Sequence, residues 1–130
     1  FRDEARLERW GVNPTAAVAL GAHTLLRGGY ERFSEDRVVD RGLPSAAGRP
    51  YSGSTRTFYG NPDSSYSHMR VHAAGVLVEH HLPAGLTLRN RTRWASYDKF
   101  YQNSYAGGAV NPAGTQVNLA AYNNATDRSN

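Results

Sequence analysis

From Leu86 to Trp94 the chain alternates without a break: Leu86, Leu88, Asn90, Thr92 and Trp94 hold the even positions, and Thr87, Arg89, Arg91 and Arg93 the odd ones. Successive side chains of a strand point to opposite faces of its sheet. The run therefore has one wet, cationic face and one that is apolar near its start and aromatic at Trp94. It continues as an arm over 86–101. Pro83-Ala84-Gly85 precedes it as a turn, and 69–82 supplies the partner arm of a hairpin. That partner alternates less cleanly, with Met69 and Val71 odd but Val76 and Val78 even. A bulge near Ala73-Ala74-Gly75 is the expected way to switch phase.

An earlier hairpin has the same form. Val12, Pro14, Ala16, Val18 and Leu20 fall on one side of a strand, Gly21-Ala22-His23 makes the turn, and 24–33 resumes extended character. Arms joined so tightly are antiparallel. Residues 1–10 carry Ala5, Leu7 and Trp10 among alternating charges without a breaker, and this predicts a short helix. Two long stretches interrupt the strands. Residues 41–65 are dense in Gly, Pro and Ser, far longer than the ~4–6 residues of common connections, yet Tyr51, Phe58 and Tyr59 argue for partial order. Residues 106–114 form the second loop, before a possible fifth strand over 115–122 and a polar end.

Short turns thus alternate with long loops, between long strands with one polar and one apolar face. That is the pattern of an outer-membrane β-barrel segment, and soluble antiparallel sandwiches share its alternation. The expected fold class is all-β, an antiparallel meander of about five strands over 1–130, with long loops at 41–65 and 106–114. A barrel needs at least ~8 strands, so five cannot close one. Mean hydropathy of −0.62 is compatible, because only every second residue of such a strand meets lipid.

Composition removes several classes. The longest apolar runs, 16–20 and 73–78, fall far short of the ~18 residues of a spanning helix. Without cysteine there is no disulfide, no cysteine-ligated metal and no thiol nucleophile. Fifteen basic against 11 acidic residues give a charge of +4, and Lys99 is the single lysine beside 14 arginines. These are scattered among acids such as Glu8, Glu31, Asp36 and Asp98 rather than bunched as nucleic-acid binding requires, so no nucleic-acid partner is expected. The chain does not begin with Met and shows no secretory leader, so Phe1 reads as an artificial boundary.

Asp40-Arg41-Gly42-Leu43-Pro44-Ser45, then Phe58-Tyr59-Gly60-Asn61-Pro62 and Ser65-Tyr66, then Val78-Glu79-His80, Gly85 through Arg93, Tyr97 through Asn103, and 109–128 follow one another in order. Together they closely resemble the barrel region of TonB-dependent ferric-siderophore receptors. The resemblance covers nearly the whole chain and implies a segment of a 22-stranded transmembrane β-barrel. The family's N-terminal plug, its TonB box and most of its strands are not visible. What it implies of function belongs to a parent protein of the bacterial outer membrane. That parent would bind a ferric siderophore and import it with energy delivered by TonB, meeting TonB through the absent plug and lipid through its strands. The short turns would then be periplasmic and the long loops extracellular. No resident cofactor is implied, since the ferric siderophore is cargo.

In such receptors aromatic and polar side chains at the outer mouth hold the siderophore. Carried onto this chain by strand phase, the candidates are Tyr97 and Tyr101 on β-strand positions and Tyr51, Phe58 and Tyr59 on the long loop. Each pairs an apolar ring with, in tyrosine, a hydrogen-bonding hydroxyl. The competing role for any of them is an aromatic girdle or loop packing, which suits Trp94 best. Arg89, Arg91 and Arg93 would line the lumen, against plug carboxylates or an anionic complex; cross-strand pairing with Glu31 and Glu79 is the plainer use. His68 and His72 share a face but lie about 13 Å apart on a strand, and His80 and His81 point to opposite faces, so no metal site is expected. No nucleophile elbow, P-loop or paired carboxylates converge, and no enzyme is expected. The alternative function is a soluble antiparallel β domain that binds glycan or protein through its aromatic loops. It requires a second sheet over the even face of 86–94. An isolated five-stranded piece has two open edges, which favour self-association.

Overall fold

A computed structural model describes residues 2–130; Phe1, and with it the expected boundary, lies outside the described residues. The chain is all-β. Its strands are β1 (Leu7–Val12), β2 (Thr15–Leu20), β3 (Thr24–Val38), the short β4 (Ser45–Ala46) and β5 (Arg49–Pro50), β6 (Tyr66–His81), β7 (Thr87–Ala106) and β8 (Leu119–Ser129). The main sheet runs β1-β3-β6-β7-β8 with β2 also paired to β3, and β4-β5 form a separate two-stranded ribbon.

β1 and β2 are one edge strand interrupted by a missing donor. Val38 N donates to Arg6 O and Tyr30 N to Pro14 O, and Thr15 then faces Gly29. Each step forward on the edge is one step back on β3, so the register does not slip across Asn13-Pro14. Proline simply has no N–H to give the ladder. The expected helix over 1–10 is therefore corrected: Leu7 through Trp10 are strand. Pairing with β3, fixed by contacts distant in sequence, overrides a weak local pattern.

Both predicted hairpins form. Gly21-Ala22-His23 joins β2 to β3, with Leu20 facing Thr24. Pro83–Gly85 makes a tight 3-10 turn between β6 and β7, with Leu82 N donating to Leu86 O at 2.8 Å. Ala84 and Gly85 both have positive φ there, 65° and 75°, a conformation that glycine adopts without steric cost. β6 is unbroken, and the expected bulge is not needed. Met69 and Val71 lie on one face and Val76 and Val78 on the other, each face having its own apolar stretch.

The fifth strand is displaced and longer than expected, Leu119–Ser129 instead of 115–122. Its polar residues are held by β7: Gly107 N donates to Asn118 O, and Ala95 and Asn130 exchange both backbone bonds at 2.9–3.0 Å. The second loop accordingly runs over 107–118. The first long loop is partly ordered, carrying β4-β5 and a 3-10 turn at Pro62–Ser64 capped by Asn61, whose side chain accepts from Asp63 N at 3.0 Å.

The chain divides into two compact units. One takes the N-terminal residues through Arg9 with Glu35–Met69 and Lys99–Thr126; the other takes Trp10–Ser34, Arg70–Asp98 and Asp127–Asn130. In the second unit Trp10, Val12, Val18, Leu20, Tyr30, Val76, Leu82, Leu86, Leu88 and Trp94 are 38–64% exposed, and all are even-numbered. The pairings keep one parity on one face: Val18 faces Leu26, Thr24 Oγ1 meets His80 Nδ1 at 2.8 Å, and Glu79 meets Arg89. No second sheet covers this apolar face among the described residues. Buried apolar side chains are few among the described residues: Val39, Val71, Ala73 and Ala95.

Candidate functional site

The loop-bearing unit assembles an arginine–tyrosine cluster, and its construction starts at the end of β3. Asp40 accepts from Gly42 N at 2.9 Å, the local turn that aspartate favours, and from Arg2 Nη1 at 2.9 and 3.0 Å. This fixes the backbone on both sides of Arg41. Two residues earlier Val39 is clamped twice: its N–H donates to Ser65 O at 2.9 Å, and its carbonyl accepts from Asn103 Nδ2 at 2.9 Å. Asn103 is fully buried. It stands on β7 between Tyr101 and Tyr105, all three on the odd face. The clamp on Val39 thus sets Arg41 beside the two tyrosines, its guanidinium carbon 4.2 Å from the centre of the Tyr105 ring.

Tyr122 arrives from β8. Because Asn118 faces Gly107, even positions of β8 share a face with odd positions of β7, and the Tyr101 and Tyr122 rings lie 6.1 Å apart. The Tyr101 hydroxyl first, and then the neighbouring phenols, raise the Arg41 pKa above the ordinary guanidinium value, against an opposing effect of burial. Its charge is permanent at any working pH. Four side chains from three segments therefore present one fixed cation and three hydroxyl-bearing rings.

The other predicted residues divide. Tyr51 and Tyr59 meet edge to face, 6.1 Å between ring centres, with Tyr59 Oη donating to Ser54 O and Tyr51 Oη donating to Gly114 O on the second long loop. That second contact, with Val110 N on Ser45 O at 2.8 Å, ties the two loops together. Phe58 is half-buried beside Gly60, where a Cβ would run into the Ser104 carbonyl and the Phe58 ring. Tyr97 is half-buried in the other unit and joins neither group.

Arg89 pairs with Glu79, Nη2 to Oε2 at 2.6 Å, and His81 Nε2 lies 3.5 Å from the same carboxylate. Arg91 and Arg93 have no carboxylate partner among the described residues. With Arg27, Glu31 and Glu79 they line one groove. Three of the five histidines have side-chain hydrogen-bond partners, His80 with Thr24, His81 with Thr87 and His72 with Tyr30.

Sequence reasoning missed Arg41, Tyr105, Tyr122 and Asn103. Extending the β7 alternation past Tyr101 would have found Asn103 and Tyr105. Arg41 carries no local signal, because its place depends on Asn103, 64 residues from Val39.

An antiparallel meander whose even-numbered face in the second unit is apolar and exposed, with arginines on the opposite face, has the make-up of a transmembrane β-barrel segment. No family model matches the chain. It is 30% identical over 125 residues to the catecholate siderophore receptor Fiu of Escherichia coli K12, and equally to that of E. coli UTI89, the match covering 85% of this chain and 16% of each relative. The crystal structure of the ferric-catecholate import receptor Fiu from E. coli K12, in its closed form, superposes with a TM-score of 0.70 at 30% identity, over 98% of this chain and 21% of that one. The chain is thus similar, over most of its length, to one segment of the barrel of these siderophore receptors, and it spans about one sixth of the relatives' length.

Proposed function

We propose that the protein to which this segment belongs is an outer-membrane receptor that binds a ferric catecholate and imports it by TonB-dependent transport. The observation that carries the reading is the Arg41–Tyr101–Tyr105–Tyr122 cluster, in a chain whose relatives are catecholate receptors. A ferric catecholate is an anion edged with aromatic rings. A permanent guanidinium charge answers the anion, and tyrosine rings offer edge and face contacts to the catechols. Tyr51 and Tyr59 extend the same chemistry onto the loops, with Phe58 beside them, and Tyr97 lies lower on the same strand parity. The odd face then lines the lumen, where Arg89, Arg91 and Arg93 draw the complex inward. The even face meets lipid, the turns at 21–23 and 83–85 lie on the periplasmic side, and the long loops lie outside.

The test replaces the matched segment of E. coli Fiu with this chain and measures ferric-catecholate-dependent growth in cells lacking other catecholate receptors. The expected result is growth on the catecholate chelate and none on a neutral hydroxamate chelate. A chimera that reaches the outer membrane folded and binds no ferric catecholate would overturn the reading.

A further inference from the structure

On the even face of the second unit, beyond the apolar stretch, Arg32 stands half-buried, with no carboxylate partner among the described residues. Its Nη1 lies 3.1 Å from His72 Nε2, its guanidinium carbon lies 5.4 Å from the Trp10 ring centre, and His72 Nδ1 lies 2.6 Å from Tyr30 Oη. These contacts fix every proton. A guanidinium only donates, so His72 Nε2 accepts, the ring proton sits on Nδ1, and Nδ1–H donates to Tyr30 Oη. Tyr30 O–H and the remaining guanidinium N–H groups are then donors without an acceptor side chain among the described residues. The other charged residues of this parity on β3, β6 and β7 in the unit, Arg70 and Asp98, have interactions of their own.

A half-buried cation surrounded by spare donors and lacking an acceptor is a site for an oxyanion. Its position says which one. From the turn at 21–23 to Arg32 is about 8 residues, roughly 26 Å along the strand and about 20 Å in height at the usual tilt, near the end of an apolar band of about 25 Å. Trp10, Tyr30 and Trp94 mark the same level with the ring types that favour a lipid interface. We infer that Arg32, Tyr30, His72 and Trp10 seat the phosphate of an outer-leaflet lipid headgroup. Arg32 and Tyr30 bind it, while His72 orients both and Trp10 packs against the guanidinium. The inference rests on the proposed reading that the even face meets lipid.

The test is native mass spectrometry of the chain refolded in detergent micelles, with bis-phosphorylated lipid A, the same lipid dephosphorylated, and inorganic phosphate as probes. Retention of the phosphorylated lipid, reduced about tenfold by Arg32→Gln as expected for loss of charge-assisted hydrogen bonds and unchanged by Arg27→Gln on the opposite face, supports the site. Tyr30→Phe, which keeps the ring and removes the donor, should cut retention by a smaller factor. Equal retention by Arg32→Gln, equal retention of the dephosphorylated lipid, or displacement by inorganic phosphate at equal concentration would overturn it. If the chain stays monodisperse without detergent and takes up none of the lipids, the lipid-facing reading itself fails. Detergent dependence with an unaltered Arg32→Gln variant overturns the headgroup site alone.

Discussion

The Arg41 guanidinium lies 4.2 Å over the ring of Tyr105, and the bond that fixes it there is made two residues away on each strand, from Asn103 to Val39. The cation is thus held by a buried amide rather than by a carboxylate, and its charge remains available to an anion. Arg41→Gln in a receptor carrying this segment should weaken ferric-catecholate binding by about 2- to 5-fold, the range expected for one cation–π contact at an exposed site. Equilibrium fluorescence quenching measures it. Because the Arg41 pKa is raised, its contribution should be constant between mildly acidic and mildly basic pH; a loss of affinity on raising the pH through neutrality, traced to this residue, would contradict its role.

Asn103 has no exposure to solvent, and its amide is the partner of the Val39 carbonyl. Asn103→Ala strands that carbonyl and opens a small void, at a cost of about 1–3 kcal/mol. Urea unfolding in micelles should show the loss. Catecholate affinity should also fall in the folded variant, since Arg41 loses its anchor. Unchanged affinity would separate the clamp from the site.

At Gly60 a Cβ would overlap the Ser104 carbonyl, and backbone cannot swing aside as a flexible side chain does. Gly60→Ala should therefore break the bridge between Gly60 and Tyr105 and free the 53–64 stretch, seen as faster proteolytic nicking there. Gly42→Ala, which meets nothing within 4 Å but sits at φ 94°, should cost through backbone strain and leave that nicking unchanged.

Leu88 is 61% exposed on the even face. In water, Leu88→Arg on such a surface changes stability by less than about 0.5 kcal/mol; in the apolar band of a membrane barrel it costs about 2–4 kcal/mol near the midplane. Urea titration of the chain in lipid vesicles should show the larger loss.

How much was legible in the sequence follows from where each signal is stored. The alternation of Leu86–Trp94 and the turn at Pro83–Gly85 are local, and hairpin, faces and open edges follow from them. Leu7–Trp10 misled because their strand identity comes from β3: Arg9 reaches Glu35 with Nε at 2.8 Å, and Trp10 packs under Arg32. The polar run 123–128 gave little strand signal, yet it is a strand because β7 supplies its partners. The tyrosines of the loops were visible by type. The cluster around Arg41 was not, since it needs Val39, Asn103 and Tyr122 brought together from three separate segments.

If the even face meets lipid, as proposed, size-exclusion chromatography with light scattering should find the chain aggregated in buffer and a single defined species in a mild detergent. A clean monomer whose size ignores detergent would overturn the lipid-facing assignment.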